Sequence, residues 1–510
     1  MNRADVLESL RSSASWDLIV IGGGATGLGV ALDAASRGFR TVLLEARDFA
    51  HGTSSRSTKL IHGGVRTLRS GQIGLFRGSL RERQLLRRNA PGLVRDLGFV
   101  IPAYAWHERW AYGAGVMFHD LLAGGATPPS RILSRHETLT LAPNLEPTGL
   151  RGGVAYQDSQ FDDASLALAL AMTATAAGAT VANHMQVVGL LKTHGRVTGA
   201  VARNLESGRE YELHGRIVIN AGGVHGDEVR RLDDPSAKPM LSLRQGAHLV
   251  LPAHFLPGNH AVLLPKTRDG RVLFAIPWRG RLLLGTTDTP VTRLDPEPRP
   301  LAAEVEYLLE HIARFLSPAP KLTDVLSMYA GLRPLVKSSS GQLTSRLTRD
   351  HVIATSPGGL LTIAGGRWTT YRQMAEDTVD RAAKLAGLSP QPCQTATLSL
   401  MAAGRRSGVS DPTRLHPALP ITAGDVRRAA REEMARTVDD VLSRRTRSVI
   451  LDARAAIEVA PAVARLLAIE LRWNSDWERQ SCEDFRAVAR GYLPVAPANP
   501  VAAAAASPHS

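Results

Sequence analysis

Apolar and polar positions along the chain fall into three patterns, each predicting a different kind of element. Trp16-Asp17-Leu18-Ile19-Val20-Ile21 is a short, nearly unbroken apolar run rich in β-branched residues, the pattern of a strand buried on both faces. It passes directly into Gly22-Gly23-Gly24-Ala25-Thr26-Gly27. Residues 28–37 then mix small and apolar side chains at helical spacing, and residues 40–44 predict a second strand that closes on Glu45. Residues 216–220 repeat this logic, a buried strand ending in Ala221-Gly222-Gly223 that would return to the same sheet. Residues 359–364 predict one more apolar strand, ending in Gly365-Gly366.

Elsewhere the pattern changes. Residues 77–88 have helical spacing. Residues 91–148 are irregular and rich in Pro, Gly, Trp and Tyr, as expected of an insertion carrying part of another domain. Asp162 and Asp163 are candidate N-caps for a helix over 164–177, followed by a strand pair near 181–191 and 197–204. From 241 to 344, strand-like runs such as 272–276 and 281–285 alternate with turns and predict an antiparallel sheet. Residues 389–420 are rich in Pro, Gly and Ser and read as a linker. Beyond them, Thr422-x-x-Asp425 and Thr437-x-x-Asp440 are capping-type helix starts.

The expected fold is therefore mixed α/β and α+β. A discontinuous Rossmann-like nucleotide-binding domain takes residues 14–90, 150–240 and 345–390, and a substrate domain takes 91–149 and 241–344. A linker over 391–420 leads to a helical domain over 421–495, and the Ala-rich tail 496–510 is expected to be disordered. No internal repeat is present.

The first ninety residues also suggest chemistry. Strand, glycine turn, helix, strand and acid stand in the order of a dinucleotide-binding βαβ unit. Gly22 permits the tight turn, Gly24 lets backbone approach a pyrophosphate, and Gly27 lets the helix pack closely. The helix N-terminus offers free N–H groups to phosphate. Glu45 can accept hydrogen bonds from ribose hydroxyls and would repel a 2′-phosphate, which disfavours NADP. The polar, glycine-rich stretch after it suits a loop closing over a cofactor. There Ser54 and Ser55 can donate to a pyrophosphate, and His62 and Arg66 can reach a reacting centre. A helix starting after Gly365-Gly366-Arg367 again aims donors at an anion.

Composition narrows the class. The 510 residues carry 61 Lys+Arg against 47 Asp+Glu, a net charge of +14. That balance suits phosphorylated metabolites or an acidic membrane surface. No nucleic-acid-binding motif is visible, so nucleic acid is not an expected partner. Cys393 and Cys482 are far apart, which excludes a disulfide framework and a thiolate metal site and fits a reducing cytoplasm. No metal site is expected. The first fifteen residues lack an apolar core, so no signal peptide is expected, and no run approaches a membrane span.

Taken together these segments resemble the FAD-dependent glycerol-3-phosphate dehydrogenases of the aerobic, quinone-linked type. The match is carried by the Gly22–Gly27 turn, Thr53-Ser54-Ser55 through Lys59-Leu60-Ile61-His62-Gly63-Gly64, and Asp162-Asp163-Ala164. Further along it includes Gly285-Thr286-Thr287-Asp288, Gly331-Leu332-Arg333-Pro334, Thr348-Arg349-Asp350 and Gly365-Gly366 followed by Thr369-Thr370-Tyr371-Arg372. The resemblance implies non-covalent FAD and oxidation of sn-glycerol 3-phosphate to dihydroxyacetone phosphate. It also implies electrons passed to membrane quinone, and a cytoplasmic enzyme peripheral on the inner face of the cell membrane. FAD would meet Gly22, Gly24, Gly27, Glu45, Ser54, Ser55, Lys59, Gly63, Gly222, Gly365, Gly366, Thr369 and Thr370.

Hydride transfer from C2 to flavin N5 needs a base for the C2 hydroxyl proton, and His62 and His248 are the candidates. Arg66, Arg333 and Arg349 match positions resembling the family's substrate arginines, suited to bidentate phosphate binding. Arg333 and Arg367 join the histidines as catalytic candidates. Three departures are visible: Arg367 where the family usually has Lys, Thr67 where it has Tyr, and Gly223-Val224-His225 for Gly-Pro-Trp. They leave two alternatives standing: a related flavin oxidase of a 2-hydroxy acid or amine using oxygen, and a flavin-binding protein with little catalysis. Clustered arginines at 427, 428, 431, 436, 444, 445 and 447 suit contact with anionic lipid or a second copy in a homodimer, or form a solvated face.

Overall fold

The computed structural model describes residues 1–12, 15–61, 73–123, 128–265, 267, 270–337, 351–401 and 411–494. Within these residues the strands assemble into two sheets, and the apolar patterns above decide which strand enters which. The first has the order β17 (His351–Thr355), β18 (Leu361–Gly365), β10 (Glu210–Asn220), β1 (Trp16–Ile21), β2 (Thr41–Leu44), β7 (Thr180–Ala182). From β18 to β7 every neighbouring pair is parallel. The β1 run is buried along nearly its whole length, as parallel strands covered on both faces require. Ile21 is in register with both Asn220 and Leu44, so three strands deliver their carboxyl ends to one edge. β8 (Met185–Thr193) and β9 (Arg196–Asn204) form an antiparallel ribbon on the first half of β10.

Helices cover this sheet. The first, α1, is Arg3–Ser12; α2 (Ala25–Ser36) follows the glycine turn and packs against two later helices, Asp163–Ala176 and Tyr371–Ala386. A side chain at Gly29 would press on the Tyr371 ring at 2.8 Å, so that glycine sets the close approach of α2 to its neighbour.

The second sheet runs β15 (Thr289–Val291), β11 (Leu241–Pro252), β14 (Arg281–Gly285), β13 (Leu273–Trp278), β12 (His260–Leu264), β4 (Val94–Ala103), β6 (Gly152–Phe161), β3 (Leu60–Ile61). β16 (Ser327–Val336) also pairs with β11, and β5 (Arg131–Leu133) with β6. All pairs are antiparallel except β12 with β4. The expected antiparallel sheet is present, but it draws β3 and β6 from stretches assigned above to the nucleotide-binding domain.

Residues 91–148 are more regular than expected. They hold β4, a helix over Trp106–Ala123, β5 and a helix over Arg135–Leu141. β4 is disguised by Gly98, where a side chain would meet the His260 ring at 2.6 Å, and by Pro102 near its end. The Trp106–Ala123 helix is disguised because it turns Trp106, Trp110 and Met117 outward, 75%, 56% and 53% exposed.

The C-terminal region is helical, as expected: Ala423–Glu432, a π-helical turn Asp440–Arg445, then Ser448–Leu451, Ala453–Leu471 and Ser475–Arg490. Thr422 and Asp425 form the reciprocal cap read from sequence. Its apolar side chains share one core with the second sheet, Val441 and Val449 lying with Phe99, Tyr156 and Tyr329. The arginine cluster is not the free basic face it resembled. Arg427 pairs with Asp411 and Glu470, Arg428 with Asp425 and Glu433, Arg431 with Glu470, and Arg436 with Glu206. Arg444, Arg445 and Arg447 are buried against Asp48 and Asp163. Sequence spacing could not show these acids, because Glu206, Asp48 and Asp163 are brought in by the fold.

Candidate active site

The carboxyl edge of the parallel sheet forms a cradle for a dinucleotide. Gly22 adopts φ +109°, and a side chain there would run into the Ala221 carbonyl at 2.6 Å. A side chain at Gly27 would overlap the Gly22 carbonyl oxygen. Gly24 opens α2 with no side-chain cap, leaving N-terminal N–H groups directed at the cradle. Glu45 reaches back over the turn, one oxygen accepting from the Gly23 N–H at 2.6 Å and the other from the Arg47 N–H at 2.8 Å. Gly23, passed over by sequence reasoning, is the residue whose missing side chain lets Glu45 approach; a Cβ there would lie 2.8 Å from that of Glu45. This bare backbone, helix terminus and carboxylate fit the pyrophosphate and ribose of FAD.

Ser54 adds a hydroxyl at the same place, accepting from the Ala25 N–H at 2.9 Å. Gly222 continues from β10, held by Asn220. Gly365, the last residue of β18, and Gly366 have φ +80° and +75° and lead into the turn Trp368–Thr370. The Trp368 indole N–H donates to the Ser54 carbonyl at 3.0 Å, joining the two glycine-rich segments. Thr369 is buried there, and Thr370 donates to the Arg367 carbonyl. Arg367 itself begins the turn.

Two expected contacts turn out differently. Ser55 is buried, and its carbonyl accepts from Lys59 at 2.7 Å. The Lys59 ammonium is committed to that carbonyl and to Asp163, 2.6 Å away, so it supports the loop from beneath. Burial pushes it down to about 7 against the pull of Asp163, with Arg447 pushing the same way as burial. Asp162 is the N-cap of the Asp163–Ala176 helix, as expected, whereas Asp163 is the buried counter-ion.

The second sheet supplies the other half. His248 on β11 is in register with Tyr329 on β16 and Gly285 on β14. Its ring stacks on Tyr329 at 4.7 Å, and its Nε2 lies 2.9 Å from Thr58 Oγ1. Burial, then Lys59 and Arg333, hold its pKa well below the ordinary imidazole range, so the ring is neutral. Arg333 on β16 donates to Thr286 Oγ1 at 3.0 Å and to the Thr287 carbonyl at 3.2 Å, and pairs with Asp288 at 3.1 Å. Gly246 makes room for it, since a side chain there would meet the guanidinium at 2.5 Å. Burial raises the Asp288 carboxyl, but Arg244 and Arg333 outweigh it and hold the pKa below the usual range.

Residues 53–58 join the halves. The Thr53 hydroxyl donates to the Leu332 carbonyl at 2.6 Å, beside Arg333, and the Tyr329 hydroxyl donates to the Ser57 carbonyl at 2.8 Å. The nucleotide cradle, His248 and the strand that carries Arg333 thus meet on one loop. His62, Gly63, Arg66 and Arg349 lie outside the described residues. Thr58 and Asp288 sit within motifs that the sequence marked out but gave no role, and Tyr329 stands just ahead of another; only the pairing of strands distant in sequence reveals their place.

Comparison with known proteins agrees with this geometry. Residues 17–372 match the FAD dependent oxidoreductase family, and residues 363–478 match the C-terminal domain of alpha-glycerophosphate oxidase. A mitochondrial glycerol-3-phosphate dehydrogenase of Mus musculus is 36% identical, covering 94% of this chain and 74% of its own length. Its counterpart in Arabidopsis thaliana is 37% identical, covering 92% and 85%. Among solved structures, the glycerol-3-phosphate dehydrogenase from Bacillus halodurans complexed with FAD is 28% identical, with TM-score 0.78 over 98% of this chain and 99% of that one. An L-alpha-glycerophosphate oxidase from Mycoplasma pneumoniae with FAD bound shares the fold at 18% identity and TM-score 0.58, over 76% of this chain and 100% of that one.

Proposed function

The chain belongs to the FAD-dependent glycerol-3-phosphate dehydrogenases, and from that premise we propose that it oxidises sn-glycerol 3-phosphate to dihydroxyacetone phosphate and passes the electrons to membrane quinone. FAD supplies, when bound, the acceptor at N5 for the hydride leaving C2. Gly22, Gly24, Gly27, Glu45, Ser54, Gly222, Gly365, Gly366, Thr369 and Thr370 hold it. Arg333 takes the substrate phosphate, joined by Arg66 and Arg349, and Arg367 adds positive charge beside it. His248 is the base: it receives the C2 hydroxyl proton at Nε2, through the Thr58 hydroxyl that stands between the buried ring and the more open loop. A phosphate dianion on Arg333 offsets one of the charges that lower the His248 pKa, so substrate binding itself makes the ring a better base.

The observation that carries this reading is that the loop beginning at the nucleotide cradle bonds both to His248 and to Leu332, the residue before Arg333 on the paired strand. It is tested by the visible spectrum of the purified protein without oxygen, before and after adding sn-glycerol 3-phosphate. Bleaching of bound flavin is expected. Flavin that stays oxidised would overturn the substrate assignment.

The acceptor is tested next, by adding a quinone to the bleached enzyme. A second reading, oxygen as acceptor, is favoured by the match of the C-terminal region to alpha-glycerophosphate oxidase. Oxygen consumption without quinone would select it. Attachment to the inner face of the cell membrane is supported by Trp106 and Trp110, exposed four residues apart on one helix, as in interfacial anchors. No helix among the described residues is long and apolar enough to cross a membrane.

A further inference from the structure

The segment 440–447 of the C-terminal region reaches back to the stretch that follows β2. Arg445 donates to Asp48 Oδ1 at 2.8 Å, and Arg444 donates to the other oxygen of the same carboxylate. Arg447 donates to the Ser55 carbonyl at 2.7 Å and to Asp163 Oδ1 at 2.9 Å. Lys59 meets the same carbonyl and the same carboxylate from its own side. The side chains of all these charged groups are buried. Buried ion pairs of this kind add little net stability over apolar packing, yet they fix geometry and are costly to break from one side.

The stretch they hold is strained. Ala50 and Lys59 have φ +60° and +62°, and Arg447 itself has φ +63°. Such positions cost energy and persist only where the surroundings over-determine them. The arginines come from a π-helical turn and the residues just after it, a local geometry recurrent at functional sites. Between the held points lie the two contacts that shape the cradle. The Ala50 N–H donates to the Gly23 carbonyl at 2.9 Å, and Ser54 receives the Ala25 N–H. Asp48, His184 and Asp440 approach one another closely enough to suggest a metal site, but the arginines already neutralise both carboxylates.

We propose that Arg444, Arg445 and Arg447 are positioning residues for FAD: they clasp residues 48–59 through Asp48, Ser55 and Asp163, and so set the glycine turn and Ser54 against the pyrophosphate. The C-terminal helical region then governs cofactor retention from outside the nucleotide-binding sheet. The inference rests on FAD occupying that cradle.

The competing account is that these pairs only glue two parts of the chain together. Arg436 separates the two. Its side chain ties the same C-terminal region to Glu206 rather than to Asp48, Ser55 or Asp163. The experiment compares holoenzyme carrying Arg447→Met, Arg447→Lys, Arg445→Met or Arg436→Gln, reading thermal unfolding and the rate at which free flavin fluorescence appears. Arg447→Met and Arg445→Met are expected to release FAD about tenfold faster or more. Arg436→Gln is expected to release it at the parental rate whatever its unfolding temperature. Arg447→Lys keeps the charge but has one nitrogen where Arg447 uses two, Nη2 for Ser55 and Asp163 and Nη1 for the Ser443 carbonyl; it is expected in between, and decides the matter if Arg447→Met does not fold. Release that simply follows unfolding temperature across the set, or that stays unchanged in the Arg447 variants, overturns the proposal. A parental chain that purifies without flavin would overturn the FAD assignment instead.

Discussion

Thr58 Oγ1 stands 2.9 Å from His248 Nε2, although 190 positions separate them in the chain. A half-buried hydroxyl and a fully buried, neutral imidazole therefore form one unit, braced by the stacked ring of Tyr329. In His248→Asn the rate of flavin bleaching by substrate should fall by about 10²–10⁴-fold, the usual contribution of a general base. Thr58→Val, nearly isosteric, should fall toward the lower end of that range. Stopped-flow reduction without oxygen measures both. Equal rates in Thr58→Val and the parent would remove the hydroxyl from the proton path.

Arg333 is held by Asp288, Thr286 and Thr287 and given room by Gly246. Gly246→Ala should push the guanidinium aside and raise KM for glycerol phosphate by about tenfold, with flavin content unchanged. Arg333→Met should raise KM by about 100-fold, in line with the loss of charge-assisted hydrogen bonds. A fall in kcat at constant KM would place Arg333 elsewhere in the reaction.

Gly27 leaves no space for a side chain against the Gly22 carbonyl. Gly27→Ala must lift α2 off the strand edge and move its N-terminal N–H groups away from the pyrophosphate. The protein should purify nearly colourless, with a visible-to-ultraviolet absorbance ratio far below the parent.

Two pH windows follow from the buried charges. Burial pushes Asp162 up, but Arg279, Arg447 and Lys59 prevail and hold it at about 2. A carboxyl lowered from its ordinary 3.8 stabilises the fold above that value, and the contribution is lost as pH falls from 3.8 toward 2. Asp48 and Asp440 shift in the same direction. Lys59 is lowered from 10.5 to about 7, so its contribution is fully present above 10.5 and is lost as pH falls through 7. Urea midpoints should therefore drop steeply below pH 4 and rise between pH 7 and 10.5. The alkaline rise should flatten in Lys59→Met.

How much of this could be read from the chain alone depended on whether the relevant contact was local. The Gly22–Gly27 turn, Glu45, the cap at Asp162 and the strand at 216–220 carry their signal within a few residues, and each stands where the pattern put it. The Trp106–Ala123 helix was missed because it inverts the usual rule and faces tryptophan outward. Lys59 and the C-terminal arginines were misread because a charged side chain gives no hint of burial until its counter-ion is known. Asp163 lies 104 positions from Lys59 and 284 from Arg447. Thr58 and Tyr329 were in view as letters, but only strand pairing brings them to His248.

The order of strands also bears on how the polypeptide is made. β1 is synthesised first, yet its partners are β2 and the much later β10, and β18 ends only at Gly365. The grip on Asp48 and Ser55 arrives later still, with Arg444, Arg445 and Arg447. A nascent chain on the ribosome thus carries β1 with one neighbour missing until β10 is made, and an unbraced loop until Arg444–Arg447, a condition that favours aggregation. Translation arrested before residue 444 yields a product in which the cradle has its sheet but lacks the arginines that hold Asp48 and Ser55.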